Sequence, residues 1–452
     1  MLLDFIELEK GTGEAMYLTL SRKIQEAAEK GLIKSGERLP SIREAAAQLR
    51  VSRTTVENAY VRLCIEGWAE SLPQRGYFLQ NIKKAPAPHP EAKTPAQKIR
   101  YDFSARSIDM RAADANLWKK TVREVLRNTE ELISYGDPQG EQRLRTALAD
   151  YAYKARGVQC TAEHIVIGAG VGPLLNILCG LIGRQITAGF EGTLFSQADR
   201  IFRDYGISTQ TLPSDRFGAE ITPLRRSGVS LLFLLPSSLP RISATGLSAR
   251  RNQLAAWVRE DPARLIVEDD YNGELRYYAR SVTAFQPKAP EQTVYIGSFS
   301  KLLLPSVRIA YMILPESLRR LFEERKRWYN STCGKVEQLA LTAYIETGAL
   351  EKHLRRLRKL YASKSRRFCE EIRLFFPDAG LTLYESSLAV GVTLPLAVKT
   401  EELCRAAAAR GIRILPGKSD GEMRLCFSGM TENEFAPALS ALREAILPFS
   451  EC

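Results

Sequence analysis

The chain has 452 residues, 45% hydrophobic and 26% charged, which suits a soluble globular protein of two or three domains with sizeable cores. The longest apolar stretch, Val229 to Leu235, is too short to cross a bilayer, and Met1 to Lys10 carries three acids rather than a basic, apolar leader, so neither a membrane protein nor a secreted one is expected and the cytoplasm is the expected compartment. Eight cysteines without paired spacing and only three histidines (His89, His164 and His353) support neither a disulfide framework nor a zinc site, while a net charge of +12 favours a polyanionic partner.

The first legible elements lie between Leu39 and Tyr60. Ser41 followed by Glu44 is a capping box, so a helix is predicted to begin at Ile42 and to stop near Arg50 and Val51. A second helix opens at Ser52 and carries Val56, Ala59, Tyr60 and Leu63 on one apolar face. So brief a connection makes a helix-turn-helix. The exposed start of the second helix offers Arg53 for a guanine edge or phosphate, and Ser52, Thr54 and Thr55 for phosphate oxygens. An ordinary helical hairpin would share this pattern, but Gly67 ends the helix and Trp68 to Leu79 reads as a β-hairpin with Pro73, Gln74, Arg75 and Gly76 at its tip. An arginine there suits a minor-groove or phosphate contact. Gly31 to Lys84 holds nine Lys plus Arg against five Glu, so positive charge surrounds the motif.

From Tyr17 to Leu79 the sequence resembles the winged helix-turn-helix domain of the GntR family of bacterial regulators, with LPSIRE, VSRTTVENAY, EGW and RGYF in the family's order and spacing. The resemblance implies contact with double-stranded operator DNA by Arg43, Ser52, Arg53, Thr54, Thr55, Arg75 and Gly76. Asn81 to Ile99 follows, rich in Pro, Ala and Lys and without apolar periodicity, and reads as a semi-extended linker.

Beyond Tyr101, short apolar strands (IVIG at 165, SLLFLL at 230, RLIVE at 264, TVYIGSF at 293) alternate with helical stretches such as Gln142 to Lys154 and Ser248 to Arg259. That rhythm predicts an α/β domain with a mainly parallel sheet, in which ligands gather at the carboxyl ends of the strands. One strand ends in Glu268, Asp269, Asp270 and Tyr271, another in Ser298, Ser300 and Lys301, with Arg308 seven residues later. Acids at a strand end could hold magnesium for a nucleotide, but no Walker A loop occurs. Together the groups fit pyridoxal phosphate: Lys301 for the Schiff base, a carboxylate for the pyridine nitrogen, a phenol for the ring O3', and Ser with Arg for the phosphate. GAGVGP at 168, with Glu191 beyond, invites a dinucleotide reading, but Pro173 stands where the third glycine belongs. The basic run Lys352 to Arg367 has leucines at 354, 357 and 360, so it is expected to form a helix with a solvated charged face.

At these residues the body resembles the fold-type I aminotransferases, and the whole chain resembles the MocR subfamily, in which a GntR-type domain is fused to that fold. The stations are YGDPQG at 135, VEDDY at 267, SFSK at 298, RIAYMILP at 308, HLRRLRKLY at 353 and RLCFSGM at 424. The resemblance implies three parts: residues 1–80 as the DNA-binding domain, 81–99 as the linker and 100–452 as the effector-binding domain. In that last part a large subdomain covers about 130–330, and a small one covers about 331–452 plus the domain's start. It implies Lys301 as the Schiff-base lysine, Asp269 on the pyridinium nitrogen, Tyr271 on O3', Ser298, Ser300 and Arg308 on the phosphate, Tyr135 reaching the phosphate of the neighbouring subunit in a homodimer, and Arg424 receiving a ligand carboxylate. Departures cluster around the cofactor. LPSSLPRISATG places Ser238 or Leu239 where the subfamily has a larger polar side chain. AGVGP leaves only backbone N–H groups near Gly170, and EGTLF leaves Phe195 to stack on the ring. The reading is a transcriptional regulator that binds pyridoxal phosphate and senses an amino acid, an amine or the cofactor itself, with at most a residual transaminase half-reaction. The alternatives are a working aminotransferase with a DNA-binding appendage and a dimerisation body that no longer holds the cofactor.

Overall fold

The computed structural model describes Leu3, Ile6, Leu8 and residues 15–80, 99–104, 107–191, 196–241, 244–278, 283–396 and 398–449. The chain divides into two compact units, Met1–Ala96 and Gln97–Cys452. The expected linker at 81–99 lies, except for Ile99, outside the described residues.

In the N-terminal unit, helices α1 (Met16–Glu29), α2 (Ile42–Leu49) and α3 (Arg53–Ile65) precede strands β1 (Ala69–Leu72) and β2 (Gly76–Leu79). Both halves of the capping box form: Ser41 Oγ accepts from the Glu44 N–H at 3.2 Å, and Glu44 Oε2 accepts from the Ser41 N–H at 2.9 Å. Arg50 ends α2 in the left-handed conformation (φ 53°), which turns the chain sharply enough for Ser52 to cap α3. Val56, Ala59, Tyr60 and Leu63 are buried, as their spacing predicts, against Leu20 and Ile24 of α1. Tyr60 also donates to the Pro40 carbonyl at 3.0 Å, which ties α3 to the start of α2. β1 and β2 pair antiparallel from Ala69↔Leu79 to Leu72↔Gly76. Gln74 (φ 61°) and Gly76 (φ 97°) supply the positive φ that so tight a turn needs.

The second unit holds a seven-stranded sheet in the order 165–168, 310–313, 293–298, 265–269, 231–234, 187–191, 208–212. Only Ala310–Ile313 runs against the others, and the remaining strands are parallel wherever they pair. Val267, Val294, Ile296 and Phe233 belong to the core on one face, and Leu232, Ile266, Trp257 and Phe285 to the core on the other, which is why these strands read as continuous apolar runs. A four-stranded antiparallel sheet (380–384, 389–393, 422–426, 415–416) is built from the C-terminal part of the chain. The start of the unit is stitched to that part, because Tyr101–Asp102 pairs in parallel with Ile412–Arg413.

The helix Ala349–Phe375 contains the basic run and corrects one expectation about it. Leu354 and Leu357 are buried as their spacing predicts, but the charged face is not wholly solvated. Lys364 is fully buried and paired with Asp109 at 2.9 Å. Burial alone would push the Asp109 carboxyl upward, but the hydrogen bonds from Arg111 and Lys364 outweigh it and hold the group at about 2.

Candidate functional site

Two parallel strands end side by side, Leu265–Asp269 and Thr293–Ser298, and their register (Asp269↔Ile296) brings the acidic and the Ser-Lys segments together. They open on a cavity of about 610 Å³ lined by Asp269, Tyr271, Ser298, Ser300, Lys301, Arg308 and Arg424, residues from four stretches of sequence that converge only in the fold.

The pleat sorts the three acids. Asp269 faces the cavity, while its neighbours turn the other way. Glu268 accepts from the backbone N–H groups of Phe285 and Gln286 at 2.7 to 3.0 Å. Asp270 is held by Arg156 at 2.5 Å and by the Tyr295 hydroxyl at 3.0 Å. Burial would raise the Asp270 carboxyl, but the Arg156 guanidinium holds it low, so its negative charge persists. Asp269 has no such partner. Burial first, and then the charge of Asp270, push it up to about 7. Its Oδ1 is buried and has no hydrogen bond among the described residues. Burial also raises the Tyr271 phenol and lowers the Lys301 ammonium, which favours a neutral, nucleophilic amine. Lys301 Nζ donates to Ser428 Oγ at 2.6 Å.

Ser300 Oγ accepts from Arg308 Nη1 at 3.1 Å and lies 3.2 Å from Ser298 Oγ. Gly170 (φ 96°) caps the helix Val171–Ile182, and a methyl group there would come within 2.5 Å of Arg308 Nη2. Two hydroxyls, an arginine and a helix start at a positive-φ glycine lie together, a donor set whose chemistry suits an anion. Across the cavity, Arg424 is buried on a strand of the smaller sheet, its guanidinium 3.9 Å from the centre of the Tyr384 ring. Among the described residues, Arg424 Nε and Nη2 have no hydrogen-bond partner. Unpaired donors on a buried guanidinium call for a carboxylate.

Other expected residues fall differently. Tyr135 is fully exposed and outside the cavity of its own chain. Phe195 lies outside the described residues. Of the two candidates at the LPSSLP loop, Ser238 lines the cavity together with Ser237, whereas Leu239 does not. Glu191 is unavailable to a dinucleotide ribose, since it turns inward and accepts from the Ala219 N–H at 2.8 Å. Sequence reasoning missed Ser428 as the partner of Lys301, and Gln197 and Ser387 on the cavity wall. RLCFSGM contains Ser428 and was already a site motif, so that residue was within reach. Gln197 and Ser387 carried no such signal.

On the N-terminal unit, Arg43, Ser52, Arg53, Thr54 and Arg75 are exposed, while Thr55 and Gly76 are half-buried. Ser52 Oγ accepts from the Thr55 N–H at 3.0 Å and lies 2.8 Å from Thr55 Oγ1. Two hydroxyls sharing one hydrogen bond leave one O–H to donate outward. Arg75 stacks over Phe78 at 5.7 Å, which orients the wing guanidinium.

Comparison with known proteins agrees with both units. Residues 100–442 match the model "Aminotransferase class I and II", and residues 16–79 match "Bacterial regulatory proteins, gntR family". The chain is 32% identical to the HTH-type transcriptional regulator YdeL of Bacillus subtilis, over 95% of this chain and 96% of that one. It is 28% identical to the probable rhizopine catabolism regulatory protein MocR of Rhizobium meliloti, over 90% and 88%. Its fold is similar to that of Pyrococcus horikoshii kynurenine aminotransferase, with a TM-score of 0.68 at 22% identity, covering 78% of this chain and 92% of that one. On these matches the chain is a GntR-type regulator of the MocR kind, its body a member of the class I and II aminotransferases.

Proposed function

We propose that the protein is a DNA-binding transcriptional regulator whose body holds pyridoxal phosphate on Lys301 and senses an amino acid or amine, or the cofactor itself, in the cavity. When bound, pyridoxal phosphate supplies an aldehyde carbon that condenses with an amine and a pyridine ring that withdraws electrons. The observation that carries the reading is the set of buried atoms left without partners in one cavity, Asp269 Oδ1 and Arg424 Nε and Nη2, beside a buried lysine. Each matches a group that the cofactor or an amino acid would bring. Asp269 would hold the pyridine nitrogen, Tyr271 the ring oxygen, and Ser298, Ser300 and Arg308 with the Gly170 turn the phosphate. Arg424 would bind a ligand carboxylate. The full exposure of Tyr135 in its own chain supports a homodimer in which it serves the partner's phosphate.

A ligand that displaces Lys301 and engages Arg424 acts as a switch because it binds one state of the protein better than another. On the N-terminal unit, Arg53 and Arg75 would meet bases and phosphates, with Arg43, Ser52, Thr54 and Thr55 on the backbone and Gly76 allowing the wing tip a close approach. The experiment is a titration of the purified protein with pyridoxal phosphate, followed by absorption, and then with amino acids and amines, each step paired with promoter-fragment binding. The expected result is a visible band that Lys301→Ala abolishes and a DNA affinity that changes as the band is displaced. Failure of the band to form refutes the cofactor reading. Sustained turnover of an amino-acid and oxo-acid pair would make the body an enzyme instead.

A further inference from the structure

Lys301 does not end blindly in the cavity. Its amine donates to Ser428 Oγ at 2.6 Å, and that hydroxyl donates in turn to the Ser107 carbonyl at 3.1 Å. The Ser428 carbonyl then accepts from the Asp109 N–H at 2.7 Å. A methyl group at Gly429 would come within 2.2 Å of Ser107 Oγ, so the two stretches are in tight contact. Asp109 anchors this stretch deeper, through Lys364 at 2.9 Å and Arg111 Nη2 at 2.8 Å. In sequence, this stretch is the first part of the body after the segment that leads from the DNA-binding unit.

We propose that Ser428 is a positioning residue that receives the Lys301 amine whenever the lysine is off the cofactor, and that its bonds to Ser107 and Asp109 pass this change to that early stretch of the body. The inference rests on the reading of Lys301 as the cofactor lysine. Nothing covalent happens at Ser428: a hydrogen bond forms when the amine is free and is lost when it is not. The coupling is local because a buried hydroxyl that gains or loses a charged or strongly donating partner changes how firmly its other bonds are held.

The test uses the full chain and Ser428→Ala. Without the hydroxyl the free amine loses that hydrogen bond, so the cofactor-free state rises and pyridoxal phosphate should bind about fivefold tighter, the equivalent of one hydrogen bond. A merely structural defect would weaken binding. In the cofactor-free protein, hydrogen exchange at the Asp109 amide should be faster in Ser428→Ala than in wild type. The same faster exchange should appear in wild type loaded with pyridoxal phosphate and fixed by borohydride reduction. Lys301→Met, which keeps the volume but removes the amine, should show it with Ser428 intact, so the answer survives if Ser428→Ala fails to fold. Equal or weaker cofactor binding in Ser428→Ala, or unchanged exchange at Asp109 in both variants, overturns the proposal. If wild type forms no visible band, the cofactor reading falls, while the exchange comparison between cofactor-free wild type and Ser428→Ala still decides the role of Ser428.

Discussion

Asp269→Asn should stabilise the cofactor-free protein while weakening its hold on pyridoxal phosphate. Burial and the neighbouring charge of Asp270 push the Asp269 carboxyl from the ordinary 3.8 to about 7. The folded state therefore binds more protons than the unfolded chain between those values, so stability falls as pH rises through that window and the loss is complete above about 7. At 1.36 kcal/mol per pH unit the full loss is about 4 kcal/mol, and about 2 kcal/mol of it is already present at pH 5. Asparagine never ionises, so the variant escapes the loss. Thermal unfolding of the body should place Asp269→Asn about 2 °C above wild type near pH 5 and about 5 °C above it near pH 8, given the unfolding entropy of a chain this long. Cofactor affinity should move the other way, about 10- to 100-fold weaker, because a charge-assisted hydrogen bond to the ring nitrogen is lost. A stability difference that does not grow between pH 5 and pH 8 would refute the reasoning, since it would mean that Asp269 keeps an ordinary carboxyl when no cofactor is bound.

Arg156→Met should destabilise the body by about 3–5 kcal/mol, because Asp270 would remain buried without its counter-charge; urea unfolding measures it, and a loss under about 1 kcal/mol would show that the pair is not what keeps Asp270 ionised. Arg424→Gln should leave the absorption band intact but weaken displacement by amino acids about 100-fold, with amines that lack a carboxylate unaffected. Equal losses for both ligand classes would assign Arg424 a structural role. Arg53→Ala should weaken promoter binding about 10- to 100-fold if it reads a base, or lower the salt slope by about one if it holds a phosphate. Gel-shift titrations at several salt concentrations separate the two, and unchanged binding would remove Arg53 from the interface.

Local chemistry made much of the fold legible. Ser41 and Glu44 lie three residues apart, and a capping box needs nothing further, so the start of α2 could be read to the residue. The apolar runs at 165, 231, 265 and 293 could be read as buried strands because both faces of the sheet are covered. The acidic strand end was legible as a group but not in its parts. Period-2 alternation separates Asp269 from Glu268 and Asp270, yet only the positions of Arg156 and Phe285 show that the outer two are structural. Pairs such as Lys301 with Ser428 and Lys364 with Asp109 are 127 and 255 residues apart, and no periodicity links groups that meet only after two sheets have assembled. The basic run at 352–367 misled for the same reason: charge along a helix says which face is wet only if no acid waits opposite, and Asp109 does.

The contrast within Glu268, Asp269 and Asp270 also bears on what this cavity could bind. All three carboxyls are buried, and the fold satisfies the outer two with backbone N–H groups, an arginine and a tyrosine. A chain able to do that could equally have paired Asp269, and pairing it with Arg424 would have made a quieter core. Leaving Asp269 Oδ1 and two Arg424 nitrogens without partners costs about 1–3 kcal/mol for each buried group. Ligands that bring a ring nitrogen and a carboxylate remove that cost only in the state that binds them, so the liganded form gains stability by mass action. A difference in free energy between two states is what a regulator requires, and an enzyme that turns over must not let it grow too large in the bound ground state. The orphaned atoms are therefore suited to holding a ligand that brings both groups. Ser428, which would accept the lysine that such a ligand sets free, stands where that difference would leave the cavity.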